Sequence, residues 1–261
     1  LSLVGSEMCI RDSAGGVASS AFGFSNVAKV DYASAFGYSN EASGLASSAV
    51  GFRNKAASEN ASAVGYGNNA NALAASAVGY NNTAGGVGSS TIGYNNTATN
   101  ENASAFGYGN TAGGLASSAF GFSNTASGDN ANAFGYNNIA SGSKSNVFGT
   151  GNTVSGSSST AVGTANEVAA ENSTAIGNNN TISSGAENSA ALGNNISISL
   201  KDSVALGNNS TATAINSVTG NSSYTKWAGV SDVVGVVSVG SSGATRQIQN
   251  VAAGQVSATS T

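Results

Sequence analysis

Glycine recurs every fourteen residues along most of this chain. Gly23, Gly37, Gly51, Gly65, Gly79, Gly93, Gly107, Gly121, Gly135, Gly149, Gly163 and Gly177 keep one register, a step of sixteen reaches Gly193, and a further fourteen reaches Gly207. A period of this length, held over fourteen copies, calls for a stacked, quasi-one-dimensional architecture in which each copy is one coil. The rest of the sequence reads against that ruler.

A large apolar residue stands just before the glycine in every copy: Phe22, Phe36, Val50, Val64, Val78, Ile92, Phe106, Phe120, Phe134, Phe148, Val162 and Ile176, then Leu192 and Leu206. This column is expected to be the structural core. One place earlier comes a small residue, including Ala35, Ala49, Ala63, Ala77, Ala105, Ala119 and Ala133. Neighbouring residues on a strand point to opposite faces, so the first strand of each coil has one bulky face and one trimmed to a methyl group. The trimmed face predicts close packing against another backbone along the length of the stack. Five places after the glycine a second apolar column, Ala in most copies and Val154, Val168, Ile182 and Ile198 later on, marks a second strand. Its growth where the first column shrinks has the direction that a thin core of constant volume requires.

Asn fills the third place after the glycine from Asn26 to Asn180, which suits a tight turn and stacks the amides into a ladder. Immediately after the glycine runs an aromatic row, Phe24, Tyr38, Phe52, Tyr66, Tyr80, Tyr94, Tyr108, Phe122 and Tyr136. That row reads either as a packing ladder along an edge or subunit boundary or as part of a binding strip. Six places before the glycine, apolar and acidic residues alternate from Val17 and Asp31 to Leu115 and Asp129. The alternation keeps like charges from stacking at about 4.8 Å.

Composition narrows the function. The chain has 261 residues, no Pro, no His and only 8% charged residues, yet a flexible Gly/Ser linker would not keep its apolar residues on a strict period. Its net charge of −4, without basic clusters, argues against nucleic acid or anionic membrane as partner. Thinly spread carboxylates without histidine predict no enzyme, and no cofactor or metal site is expected. The single Cys9 allows no internal disulfide framework. Three regions are expected. Residues 1–13 share nothing with the repeat and read as a non-native leader or else a short irregular cap; 14–213 form the stack, and 214–261, with Trp227, a different module.

The copies Asn-Ala-Ser-Ala-Val-Gly at 60–65 and Asn-Ser-Thr-Ala-Ile-Gly at 172–177 resemble the head repeat of trimeric autotransporter adhesins of the Yersinia adhesin type. The tail, with Val239 and Gly240, then Arg246, Gln247, Ile248, Asn250, Val251 and Gly254, resembles the neck of that family. The resemblance implies an all-β, left-handed parallel β-roll in each chain, a homotrimer of three rolls, and a neck joining the head to a coiled-coil stalk. It also implies that the alanine column meets the neighbouring subunits and that an outer-membrane barrel, outside this sequence, anchors the protein at the bacterial surface. The expected function is then a virulence-type adhesin head that attaches to host matrix proteins, cells or surfaces through many weak, non-catalytic contacts. The alternatives are a passive structural spacer and an ice- or crystal-surface-binding solenoid, the last prompted by pairs such as Thr97 and Thr99.

Overall fold

The computed structural model describes residues 11–215 and 233–250. The chain falls into two compact units, Leu1–Thr150 and Gly151–Thr261. Each unit is a parallel β-solenoid of fourteen-residue coils, and the described residues include no helix. A coil contributes one long strand, such as Ser104–Tyr108, and one short strand, such as Thr111–Ala112. Long strands pair only with long strands, and short with short. In the first unit Phe106 stands opposite Phe120 and Ala112 opposite Ala126. In the second, Ala161 stands opposite Ala175 and Val168 opposite Ile182. The sequence ruler is therefore the register of the sheets.

Two corners per coil turn the chain. Each has one residue with left-handed backbone, two places after the glycine (Ser123, φ 55°; Asn137, φ 53°) and five places before it (Ala116, φ 51°; Asn130, φ 57°). The conserved-looking turn asparagine is thus not the left-handed residue; its neighbour one place earlier is. The corner residue varies freely, Arg53 and Tyr32 included. Side-chain choice is not what holds it, because the coil-to-coil hydrogen bonding runs through the corners: Ser123 N–H donates to Tyr108 O and Ala116 N–H to Glu101 O, both at 2.9 Å. Those bonds offset the left-handed penalty of roughly 1–2 kcal/mol.

The interior reverses the expected faces. Ala35, Ala49, Ala63, Ala77, Ala105, Ala119 and Ala133, expected at a subunit interface, are completely buried inside their own chain. They lie inside with the short-strand alanines of the first unit; in the second unit Val154, Val168, Ile182 and Ile198 form the short-strand column and are equally buried. The residues expected as core lie on the outer face. Phe22, Phe36, Val50, Val64, Ile92, Phe148, Val162 and Ile176 are exposed, and Val78, Phe106, Phe120 and Phe134 half-buried. The physical reason is the width of the coil. Two sheets joined by such short corners leave a narrow space between them, filled by side chains from alanine up to isoleucine and by the asparagine amides, and the rings lie outside it. The two apolar columns share no common volume, so their sizes do not compensate one another.

The asparagine column lies inside as well. Asn96 Nδ2 donates to Asn82 Oδ1 (3.0 Å), to Ile92 O (3.0 Å) and to Gly107 O (2.7 Å), while Asn96 Oδ1 accepts from Asn110 N–H and Asn110 Nδ2, both at 3.0 Å. The expected amide ladder is present, and it supplies the hydrogen bonds that a buried polar column requires. At the start of the ladder Asp12 takes the asparagine's place, its Oδ1 accepting from Asn26 N–H at 2.7 Å, and Ser13–Ala14 pairs with Val27–Ala28. The register thus reaches back two residues before 14. Residues 1–10, Cys9 among them, and Trp227 lie outside the described residues.

The period glycine is dictated by the next coil. A Cβ on Gly107, whose φ is 118°, would stand 2.1 Å from Gly121 O. The sixteen-residue step is absorbed at a corner: Ser184 and Gly185 are exposed, and Gly177 still pairs in register with Gly193.

Candidate binding surface

With the small residues inside, the outer face of the long-strand sheet carries two side-by-side rows, one on each flank of the glycine. In the first unit the row after the glycine is a continuous ring stack from Phe24 to Tyr136, with centroids 4.7–5.2 Å apart and planes within 15° of parallel. The row before it stacks in the same way from Phe106 through Phe120 and Phe134 to Phe148, at 4.7–5.2 Å. In-register parallel pairing is the cause, since it sets identical side chains one strand spacing apart. Each stacked pair adds about 0.5–1.5 kcal/mol beyond its buried area.

In the second unit the same two places become aliphatic and polar. Val162, Ile176, Leu192 and Leu206 continue the bulky row. Beside them an amide ladder replaces the rings: Asn178 Nδ2 donates to Asn194 Oδ1 at 2.6 Å, and Asn194 Nδ2 to Asn208 Oδ1 at 2.8 Å. A serine ladder stiffens this unit from within, Ser173 N–H donating to Ser159 Oγ at 3.0 Å and Ser203 N–H to Ser189 Oγ at 3.1 Å.

The charged contacts lie away from these rows, on the short-strand side and at the corners. Lys29 Nζ donates to Glu41 Oε1, and this bond, ahead of the opposing effect of partial burial, holds the Glu41 carboxyl below its ordinary value. Sequence reasoning saw the alternating acids only as spaced charges. Two of them also bond the neighbouring coil: Asp31 Oδ1 accepts from Val17 N–H at 2.7 Å, and Asp129 Oδ1 from Leu115 N–H at 3.0 Å. Among the described residues no three His, Cys, Asp or Glu side chains gather as a metal ion would need, and no helix is long and apolar enough to cross a membrane.

Of the neck residues, Val239, Gly240, Arg246, Gln247, Ile248 and Asn250 are described, whereas Val251 and Gly254 lie outside the described residues. Val237–Ser238 adds to the long-strand sheet of the second unit, Val204 opposite Val237. Arg246 then folds over the last coil, donating from Nη1 to Val239 O at 2.8 Å and from Nη2 to Asn208 O at 2.5 Å. An open hollow beside it is lined by Thr211, Val237, Val239 and Thr245. Arg246 is bound to backbone carbonyls there, so the hollow is a seam of the cap. Gln247, Ile248 and Asn250 are exposed.

A parallel solenoid of this kind, with a hydrogen-bonded interior and side chains set in rows on the outer face of each unit, belongs to the class of repeat scaffolds. The YadA head domain repeat, a two-copy family model, matches residues 14–40, 42–68, 84–110, 112–138, 126–152, 155–180 and 201–218, more than half of the sequence. The chain belongs to the YadA head domain repeat family, whose proteins are adhesin-type heads built of such coils and are typically not enzymes. Among curated proteins none matches it.

Proposed function

We propose that this chain is the head of a homotrimeric adhesin displayed on the bacterial surface, where it attaches the cell to host matrix, other cells or surfaces by multivalent, non-catalytic binding. The observation that carries the trimer is the exposed bulky row. Phe36, Ile92 and Phe148 are each about 40% exposed in the single chain, at 39%, 45% and 42%. With roughly 200 Å² per aromatic side chain, each of the two phenylalanines leaves on the order of 80 Å² in water, and Ile92 adds to it. In series along the coils this exceeds the few hundred Å² beyond which an exposed apolar patch marks an interaction site. Three copies turning this row towards a common axis bury it. The interface accordingly moves from the alanine column to the residues just before the glycine, and residues 214–261 act as the neck.

Attachment then uses the faces that the trimer leaves outside, repeated coil after coil, so that avidity supplies strength that no single contact has. The test is adhesion of beads coated with the full chain to immobilised fibrillar collagen, fibronectin and epithelial monolayers. It is compared with a chain from which six whole coils, residues 52–135, have been removed. A marked fall in adhesion is the expected result. Undiminished adhesion by the shortened chain makes the head a spacer, and absence of binding to every surface removes the adhesive reading.

A further inference from the structure

We propose that Tyr66, Tyr80, Tyr94 and Tyr108 form a site of oxidative dityrosine cross-linking, at which a one-electron oxidant of the peroxidase and hydrogen peroxide class joins successive coils covalently. The proposal rests on the ring ladder and not on the adhesive reading. These are four tyrosines in unbroken succession, with centroids 4.7, 4.9 and 4.8 Å apart and planes 2–6° from parallel. Their register is fixed by strand pairing on either side. Each of the four tyrosines is 38–46% exposed in the single chain, which leaves it open to a small oxidant.

The chemistry needs two phenols held together, because phenoxyl radicals otherwise find partners only by diffusion. Oxidation removes one electron and the phenolic proton from each of two neighbours. The radicals couple through the ring carbons ortho to oxygen, forming one carbon–carbon bond. Each joined carbon then gives up its proton and each oxygen regains one, which restores both aromatic rings. Overall two phenols lose two hydrogen atoms and one hydrogen peroxide becomes two waters.

The ladder also sets the limits of the site. Phe52 stacks below Tyr66 and Phe122 above Tyr108, and phenylalanine has no phenolic proton to lose. Tyr38 lies between Phe24 and Phe52. Tyr136 lies between Phe122 and the strand position of Thr150. Tyr32, exposed at a corner, has Ala18 and Ala46 at the same place in the adjacent coils. The bonds 66–80, 80–94 and 94–108 are therefore the intrachain products that the geometry permits among these residues. Each would staple one coil to the next on the outer face, where no backbone bond is disturbed.

The experiment treats the full chain, dilute and folded, with horseradish peroxidase and hydrogen peroxide. It reads dityrosine fluorescence, mass on a denaturing gel, and peptide masses after a glutamyl endopeptidase, which cuts after Glu101 between Tyr94 and Tyr108. Fluorescence should rise with the chain still at single-chain mass, and the peptides carrying Tyr94 and Tyr108 should remain joined. Tyr80→Phe with Tyr108→Phe keeps the ring stack but leaves no two tyrosines adjacent, so nearly all of the signal should vanish. Tyr38→Phe with Tyr136→Phe removes as many tyrosines and should retain it. Equal fluorescence from the two double variants, cross-links only between chains, or the same yield from urea-unfolded protein would overturn the assignment.

Discussion

Replacing Asn96 with alanine tests the idea that the buried amide ladder, and not apolar bulk, holds the coils together. The two Nδ2 hydrogens are shared among Asn82 Oδ1, Ile92 O and Gly107 O, and Oδ1 receives two bonds from Asn110. Losing the donated bonds costs about 0.5–1.5 kcal/mol each. The accepted ones matter more, because Asn110 N–H has Asn96 Oδ1 as its acceptor in a fully buried place. An orphaned buried donor costs roughly 1–3 kcal/mol. Neighbouring coils relax somewhat, so the sum should come to about 3–5 kcal/mol. Since coils couple mainly to their neighbours, the loss should concentrate around the substitution. Hydrogen exchange read residue by residue should therefore show the amides near 82, 96 and 110 opening far more readily than those near 40. Denaturant unfolding gives the magnitude, with exposed Glu101→Gln as the control. If Asn96→Ala and Glu101→Gln lower stability equally, the ladder is a passenger and the reasoning fails.

Gly107→Ala should destabilise by about 2–4 kcal/mol, because the new methyl meets Gly121 O at 2.1 Å, whereas at Gly109 the nearest atom is Ser123 Oγ at 3.6 Å and the cost should be nearer 1 kcal/mol; thermal melts of the two variants decide it. Ala105→Leu should lower stability by about 1–3 kcal/mol through overpacking. Phe106→Ser with Phe120→Ser should instead leave the circular dichroism of the strands intact and dissociate the assembly in light scattering; a trimer that survives these outer changes would place the interface elsewhere. Glu41, its carboxyl held low by Lys29, contributes stability above its unfolded pKa that is lost as pH falls through the lower folded value. For so exposed a pair the contribution should be only about 0.2–1 kcal/mol, read as a small acid-side difference in melting temperature between wild type and Glu41→Gln.

The architecture was legible because the period fixes strand register directly: once Gly93 and Gly107 are equivalent, Ile92 must stand over Phe106, and it does. The amide ladder followed from the same stacking. The direction of the faces did not. Strand alternation says that Ala105 and Phe106 point opposite ways without saying which is inward, and the usual equation of bulk with burial chose wrongly. A usable clue was present in the asparagine column. Asn110 lies inside with Ala105, and an interior that takes an amide in every coil has little breadth left for rings. The corner residues were illegible for another reason: backbone bonds to the adjacent coil dictate their conformation, so Ala116, Ser123 and Asn130 serve alike. Arg246 was marked only by its resemblance to a neck residue; its partners, the carbonyls of Val239 and Asn208 and the Ser210 hydroxyl, could not be read from the sequence.

The close passage of one glycine column over the next has a consequence for inheritance. Since Gly121 O occupies the place where a Cβ on Gly107 would go, two coils fit together only in one phase. Recombination within the coding repeat therefore yields a folded head when it adds or removes whole coils, and other lengths survive only if a corner can spill the surplus outward, as Ser184 and Gly185 do. Each such event changes the reach of the stack by one strand spacing, about 4.8 Å, while the contacts between coils away from the junction stay as they were. Reach is thus a trait that lineages can tune in small, equal, reversible steps, independently of whatever the outer faces bind.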